Sequence, residues 1–340
     1  MRRHAWLAIL SALAGACGGS PTAPSNDAAS RNVLGRTVSA TDGRAAAGVS
    51  VQAGRERATS DVDGMFEIAI ERGAGAPAVL ASATTVERRT TIAPADRRLT
   101  LSLIPASFDL DAFDQMARTA NSRLQRWTAR PRLVVIATVM NYRSSADEAF
   151  AATAEQLTDD EVNTLVTHLT EGLALLTGRA FTTFASIEVE RPAQGVRVPS
   201  MRAGAIVVGR YDGVTTFAAT VGYGRWAEQA DGTVTAGAMF LDRDFDRDDS
   251  RRRLLRIHEL GHALGYLHVT SRTSVMNPSI GPEPTEFDRL AATIAFERNP
   301  GNRAPDTDPD ASPSRSPFSL TLGRRSRWAA PVFCGPASQR

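Results

Sequence analysis

The chain has 340 residues, of which 42% are hydrophobic and 22% are charged, so it can bury a full core and is expected to form about two domains. Its 39 basic residues, all arginine, nearly balance 37 acidic residues and are scattered along the chain, which does not favour nucleic-acid binding. The composition is that of a globular protein and excludes a mostly disordered or membrane-spanning chain.

The first residues predict an export signal. Residues 1–4 are positively charged, and residues 5–14 form an apolar run that is too short to span a bilayer. The run leads into LAGAC at residues 13–17, which resembles the lipobox of bacterial lipoproteins, in which the cysteine carries lipid after cleavage. The resemblance implies a signal peptide over residues 1–17 and a membrane anchor at Cys17. A plain signal peptide cleaved near Ala16 is the alternative.

The segment after Cys17 predicts a tether. Residues 18–32 are small, polar and contain proline, as in flexible linkers. The chain has only one further cysteine, Cys334. Because Cys17 is either lipidated or removed, no disulfide within one chain is expected, even in an oxidising compartment.

Residues 33–104 predict an all-β sandwich. Apolar and polar residues alternate within residues 48–53 and again within residues 65–70, and Asp-Gly pairs at residues 42–43 and 63–64 mark turns. The pattern GRTV…DGRAAAGVSV…TSDVDGMFEI is similar to that of the carboxypeptidase-regulatory-like β-sandwich. The resemblance implies a spacer or binding module without catalytic residues; a purely stabilising role is the alternative.

Residues 106–300 predict an α+β domain, because helical patterns alternate with strands. Thr158 and Glu161 predict the capping box of a helix that ends at Gly178, and His168 within this helix is expected to be structural or exposed. Helical spacing is also present over residues 108–127. Strands are predicted over residues 133–140, 184–189, 204–208, 215–220 and 233–241.

The C-terminal part of the chain predicts disorder. Residues 301–340 are rich in proline, aspartate, serine and arginine, and they offer little apolar surface to bury. No function is predicted for this tail or for Cys334.

The segment HELGHALGYLH, residues 258–268, holds three of the five histidines and predicts a metal site. Side chains four residues apart lie on one face of a helix, so His258 and His262 can reach one ion at the zinc–nitrogen distance of about 2.0–2.1 Å. Gly265 can end the helix with a positive φ, and the chain can then return His268 to the same ion. Three imidazoles leave one position for water, as in catalytic zinc sites.

The same segment predicts a general base. Glu259 follows His258 directly and is expected to lie beside the ion, where a carboxylate can accept a proton from the attacking water. The helix is predicted over residues 251–266, with Asp249 or Ser250 as its N-cap.

The pattern His-Glu-x-x-His-x-x-Gly-x-x-His resembles that of the metzincin zinc metallopeptidases, and among them the matrixins. The resemblance implies one catalytic Zn²⁺ and a methionine turn, here SVMNP at residues 274–278, in which Met276 forms the floor of the site without binding the metal. It also implies a twisted mixed sheet, a final helix over residues 287–298 and a cleft-edge strand near residues 236–241, which pairs with an extended peptide substrate.

The chain departs from the matrixin pattern in several ways. Asn277 stands where matrixins usually have tyrosine, and no tyrosine follows the turn to act as a further ligand. Too few histidines remain for a second, structural zinc. The chain has no cysteine between Cys17 and Cys334, so a cysteine-switch propeptide is not expected.

Four alternating carboxylates precede the predicted zinc helix, at Asp242, Asp244, Asp246 and Asp248. Calcium prefers oxygen ligands, so these residues are a candidate calcium site. The alternative is that they only favour the start of the helix.

These features predict an exported zinc endopeptidase that hydrolyses a peptide or protein substrate and is held at a membrane by its lipid anchor. The principal alternative is a surface lipoprotein that binds a partner through the sandwich and carries a silent protease fold. A zinc hydrolase of a different amide also fits, because the motif specifies the water chemistry but not the cleft. The sequence does not predict an oligomeric state.

Overall fold

The computed structural model describes residues 30–71, 77–94, 98–118, 122–218, 220–309, 327–328 and 332–336. The predicted signal peptide with Cys17, most of the predicted tether and much of the C-terminal tail lie outside these residues. No helix in the described part of the chain has both the length and the apolar character needed to cross a bilayer.

The N-terminal part is a sandwich of two small sheets, as the alternating sequence predicts. The strands enclose a core that includes Val33, Val51, Phe66, Ile68 and Leu101. One sheet has the order β4-β1-β7 and the other β3-β2-β5-β6. The strands are β1 (Ser30–Ser39), β2 (Ser50–Ala53), β3 (Glu56–Thr59), β4 (Met65–Glu71), β5 (Ala78–Ala83), β6 (Val86–Ile92) and β7 (Arg98–Leu103). The first strand therefore begins inside the predicted tether.

The second part is built on one large mixed sheet with the order β11-β9-β8-β12-β14-β13-β17-β15, while β10 also pairs with β8 and β16 with β13. The strands are β8 (Arg132–Asn141), β9 (Ala149–Gln156), β10 (Ile187–Glu190), β11 (Arg197–Pro199), β12 (Ala205–Asp212), β13 (Gly222–Glu228), β14 (Val234–Asp242), β15 (Ser279–Ile280), β16 (Arg327–Trp328) and β17 (Val332–Pro336). The chain is thus a sheet-rich multidomain protein with few helices.

Among the described residues, the helices that accompany this sheet are α1 (Leu110–Ala117), α2 (Asp159–Leu176), α3 (Val214–Ala218), α4 (Arg243–Asp248), α5 (Arg252–Leu264) and α6 (Glu286–Glu297). The capping box predicted for α2 is present: the Glu161 backbone N–H donates to Thr158 Oγ1 at 3.2 Å, and the Thr158 N–H donates to Glu161 Oε2 at 2.8 Å. Helices α2 and α5 pack against each other, with Gly172 of α2 facing Ile257 of α5.

Several predicted elements differ in the structure. The helix predicted over residues 108–127 ends at Ala117, because Arg118 leaves the helix and donates to Asn302 Oδ1 at 2.8 Å. The strand predicted over residues 215–220 is helix α3, which follows a turn at Gly213 with φ +94°.

The edge of the sheet also differs from the prediction. Strand β14, which contains the predicted cleft edge, is an interior strand between β12 and β13. Strand β13 lies one step further out and was not predicted, because its two glycines and an arginine interrupt the apolar pattern of residues 222–228.

The prediction of disorder from residue 301 does not hold for the described part of the tail. Asn302, Asp306 and Asp308 are buried, and Asp306 accepts hydrogen bonds from Arg89 of β6 at 2.8 Å and from Arg298 at 2.9 Å. Charged residues can be buried when they are paired in this way. The segment ties the sandwich to the second part of the chain.

Candidate metal centre

Helix α5 is held close to the large sheet. A Cβ atom on Gly224 of β13 would lie only 2.7 Å from the Glu259 carbonyl oxygen, so only glycine permits this approach. The helix ends as predicted at Gly265, which has φ +107°. Its predicted N-caps are not used: the helix follows Arg251, which makes no side-chain cap, and Asp249 accepts instead from the Arg251 N–H at 2.7 Å.

Four side chains converge at the inner end of α5. His258 and His262 lie one turn apart, His268 returns after Gly265 as predicted, and Cys334 of β17 completes the group. One potential ligand atom from each residue lies within 4.8 Å of every other, and no second group of this kind occurs in the described ranges. Three of the four are fully buried, and His268 is half-buried.

The hydrogen bonds of two histidines define which nitrogen faces the centre. His258 Nδ1 lies 2.6 Å from the Val275 carbonyl oxygen, and His262 Nδ1 lies 2.8 Å from the Tyr266 carbonyl oxygen. A carbonyl can only accept, so both Nδ1 atoms carry the hydrogen and both Nε2 atoms carry a lone pair. These Nε2 atoms are 3.0 Å apart. Two lone pairs at this distance repel each other unless a cation lies between them.

The spacing of the four atoms fits a single metal ion. Tetrahedral ligands of zinc, with Zn–N near 2.0–2.1 Å and Zn–S near 2.3 Å, lie about 3.3–3.6 Å from one another. Cys334 Sγ lies within this range of His268 Nε2, at 3.4 Å, and of His262 Nε2, at 3.5 Å. Its distance of 2.9 Å to His258 Nε2 and the 3.0 Å between the His258 and His262 Nε2 atoms are shorter, so an ion at the centre would move these atoms apart by a few tenths of an ångström. The group can therefore hold a metal ion, and a nitrogen–sulfur donor set suits zinc among other ions.

The protonation of the histidines suits metal binding. Burial lowers the pKa of His258 to about 3 and that of His268 to about 4. Burial, together with the neighbouring imidazoles of His258 and His268, also holds the pKa of His262 well below its usual value. All three are therefore neutral near pH 7, as a metal ligand must be.

Glu259 lies beside the centre and is fully buried. Its Oε1 atom faces β13, since a Cβ on Gly222 would lie 2.9 Å from it, and the Cys334 thiol is the polar side chain next to its carboxyl. Burial raises the pKa of Glu259 well above its usual value, and burial together with the adjacent Glu259 carboxyl raises the pKa of Cys334. Burial of a carboxyl with a single thiol as its polar neighbour is costly and marks a candidate functional position.

Met276 lies against α5. It is fully buried, and a Cβ on Gly261 would be 2.8 Å from its Cε atom, so it packs against the turn that carries His258 and His262. Asn277 closes the loop by donating from Nδ2 to the Val269 carbonyl at 2.6 Å. Met276 therefore lies beside the turn of α5 that separates His258 from His262.

Asp288 of α6 supports the centre and was not predicted. Its carboxylate accepts from the Ser274 hydroxyl and from the Val275 N–H at 3.1 Å. Because the Val275 carbonyl binds His258, Asp288 orients that imidazole through the loop.

Cys334 was also not predicted as a site residue. The sequence gives one indication of its importance: apart from Cys17 in the predicted export signal, Cys334 is the only cysteine of the chain. Strand β17 brings it to the histidines by pairing antiparallel with β13, where Cys334 lies opposite Gly222.

The four aspartates predicted to bind calcium do not surround one point. Asp242 caps α4 by accepting from the Phe245 N–H at 3.0 Å. Asp246 is buried between two arginines, and the other two aspartates pair with arginines at the surface; the pairs are Asp246 with Arg210 and Arg256, Asp244 with Arg243 and Arg247, and Asp248 with Arg247. The structure therefore does not support the calcium site. His168 contacts Arg256 at 3.1 Å, outside the metal centre.

The fold and the centre together define a sheet-rich chain with a buried set of three histidines and one cysteine that can hold a metal ion. A scan against models of known protein families finds no match, and a search of curated proteins finds none either. The function is therefore inferred from the site.

Proposed function

We propose that the chain is an exported, zinc-dependent endopeptidase with a metzincin-like, matrixin-like catalytic domain. The observation that carries the proposal is the fully buried carboxyl of Glu259 beside three histidines and a cysteine that can hold a metal ion. A centre that serves only stability has no need for a buried carboxyl at this position. The sequence motif of residues 258–268 and the placement of Met276 support the same assignment.

His258, His262 and His268 would hold the zinc ion. Bound there, zinc would act as a Lewis acid toward a peptide carbonyl and would make water more acidic. The Val275 and Tyr266 carbonyls keep the His258 and His262 rings in the required orientation.

Glu259 acts as the general base and acid. Its carboxylate accepts a proton from the attacking water and later donates it to the leaving nitrogen. A pKa raised by burial makes the carboxylate a stronger base, and general base catalysis is most efficient when the pKa lies near the working pH. The apolar wall at Gly222 and Leu255 limits access of bulk water to this proton.

The substrate is an extended peptide that pairs with β13. This strand lies directly over α5, and the tail strand β17 demonstrates that its outer edge accepts a partner in antiparallel register. Addition of a strand to a sheet edge is a common mode of peptide recognition.

We further propose that Cys17 anchors the mature chain to a membrane. The proposal rests on LAGAC at residues 13–17. A fatty-acid analogue should label the wild-type chain and should fail to label Cys17→Ser; equal labelling of both would exclude the anchor.

A second candidate function is a surface lipoprotein with an inactive protease fold. The observation that favours it is Cys334, which gives the centre four protein ligands, as in closed structural zinc sites. The two candidate functions predict different results when Cys334 is replaced: a peptidase should cleave peptides, and an inactive protease fold should not.

The deciding experiment uses the full chain in four forms: wild type, Cys334→Ala, Cys334→Ala with Glu259→Gln, and Cys334→Ala with Glu286→Gln. Glu286 is an exposed residue of α6 and serves as the matched control. We expect every form to contain a single zinc ion per chain. Peptide cleavage should occur in Cys334→Ala and in the Glu286 control, and it should be lost with Glu259→Gln. Zinc binding without cleavage in Cys334→Ala would instead favour the inactive fold.

A further inference from the structure

We propose that strand β17 is a built-in inhibitor: the Cys334 thiolate is the fourth ligand of the metal, and the strand occupies the groove in which a substrate peptide would lie. Inhibition by β17 rests on the proposed peptidase function, whereas the assignment of Cys334 as a metal ligand does not.

The first argument is the position of the sulfur. Cys334 Sγ lies 2.9 to 3.5 Å from the three histidine nitrogens, which places it at the fourth corner of the centre. The sequence predicts water at this corner. A sulfur there closes the coordination sphere that catalysis requires to be open.

The second argument is the backbone of the strand. β17 lies between β13 and β15, antiparallel to β13 and parallel to β15. The Val221 N–H donates to the Cys334 carbonyl at 3.0 Å, and the Gly335 N–H donates to the Pro278 carbonyl at 3.2 Å. The segment is thus bonded on both sides, as an extended peptide in a cleft would be.

The third argument is the packing of the side chains. Cys334 is fully buried and is adjacent to the Glu259 carboxyl, so water cannot reach the general base while the strand is in place. Phe333 stacks at a tilt on Tyr223, with 5.0 Å between the ring centroids, yet 41% of its surface remains exposed. The strand is therefore seated through its backbone and its cysteine more than through its other side chains.

The three histidines do not depend on the strand. His258 and His262 are held by the Val275 and Tyr266 carbonyls, and α5 packs on β13 and β14. The backbone on either side of His268 is held by the N–H groups of Leu267 and Val269, which donate to the Met116 carbonyl at 2.8 Å and to the Met276 carbonyl at 2.9 Å. The centre therefore keeps three ligands if β17 leaves. If β17 leaves, Cys334 would give up the metal and take up a proton from solvent, and the fourth position beside the three histidines would be open to water. No oxidant or reductant is needed.

The test of ligation is spectroscopic and does not require activity. The full chain is loaded with Co²⁺, which takes the place of zinc and gives a thiolate-to-cobalt charge-transfer band in the near ultraviolet when sulfur is bound. Wild type and Cys17→Ser, which lacks the other cysteine, should show the band. Cys334→Ser and Cys334→Ala should bind cobalt without it. A wild-type chain that binds cobalt and has no band would overturn the assignment.

The test of inhibition compares peptide cleavage by the same zinc-loaded proteins. If the metal–sulfur bond keeps the strand seated in about 99% of molecules, loss of the sulfur should raise the rate on the order of 100-fold in both Cys334 variants, while Cys17→Ser should match wild type. Wild-type cleavage as fast as that of the variants would exclude an inhibitor but would leave the peptidase. A charge-transfer band that depends on Cys334, without cleavage by any protein, would establish the ligand and reject the peptidase and with it the inhibitor.

Discussion

The Sγ atom of Cys334 lies 2.9 Å from Nε2 of His258, although 76 residues separate them in the sequence. The contact joins the last described strand to the helix that carries the metal-binding motif. This contact depends on pairing between segments that are distant in the sequence. Strand β13 must pack on α5, and β17 must pair with β13 in the register that sets Cys334 opposite Gly222. The geometry of the metal centre therefore depends on correct pairing along the whole sheet edge. Several substitutions around the centre have defined consequences.

Gly224→Ala should loosen α5 from the sheet. The added Cβ would lie within 2.7 Å of the Glu259 carbonyl, and an overpacked contact of this kind costs about 1–3 kcal/mol. We expect a lower free energy of unfolding and weaker zinc binding, measured by urea denaturation and by competition with a chelator. Gly335→Ala is the control for stability, since its Cβ would meet no atom within 4 Å. Equal stability of both variants would show that the helix can shift without cost.

Asp288→Asn should weaken the metal centre without touching a ligand. The substitution removes the charge that holds Ser274 and the Val275 N–H, and loss of such outer contacts lowers metal affinity by about 10–100-fold. The measurement is the zinc dissociation constant by chelator competition, with Glu286→Gln as a control on the same helix. Unchanged affinity would mean that the His258 ring is held by the loop alone.

Glu161 should make stability depend on acid pH. Burial disfavours its charged form, but hydrogen bonds from Arg210 and Thr158 and the charge of Arg210 outweigh that effect and lower its pKa from 4.5 to about 2. Since the folded chain binds this proton less readily than the unfolded chain, the stabilisation is complete above about pH 4.5 and is lost as pH falls toward 2.

The measurement is the free energy of unfolding across this acidic range in wild type and Glu161→Gln. The difference between the two proteins should shrink steadily as pH falls below 4.5. A difference that stays constant over the range would show that the Glu161 charge does not contribute.

Arg89→Ala should separate the sandwich from the second part of the chain. Arg89 pairs with Asp306 at 2.8 Å and with Asp308 at 3.1 Å, all of them buried, and breaking such a pair costs about 3–5 kcal/mol because a charge is left unpaired. Calorimetry should show a lower melting temperature or two separate transitions. Arg44→Ala, which disrupts an exposed pair with Asp42, should change little.

The parts of the site that were predicted follow from local rules. His258 and His262 converge because helical residues four apart share a face, and His268 follows because Gly265 adopts the left-handed conformation that ends the helix. Met276 lies near the centre because only a short segment of chain separates it from helix α5. None of these positions needs knowledge of distant pairing.

The parts that were missed depend on contacts between distant segments. Cys334 and Asp288 reach the centre through strand pairing and a helix cap, which no periodicity encodes. Strand β13 was missed because the glycines that let α5 approach also interrupt its apolar pattern. The composition around Asp306 and Asp308 predicts disorder because it does not reveal that Arg89 and Arg298 pair with these acids.

The residues of the metal centre lie side by side in the structure, but they are not synthesised together. Cys334 is made 66 residues after His268, a delay on the order of several seconds at usual rates of synthesis. For that interval a chain that is folding as it is made has three histidines and Glu259 but no sulfur. In any molecule that folds before β17 pairs with β13, the three histidines therefore come together before the sulfur joins them, and the group stays open on that side until the strand arrives.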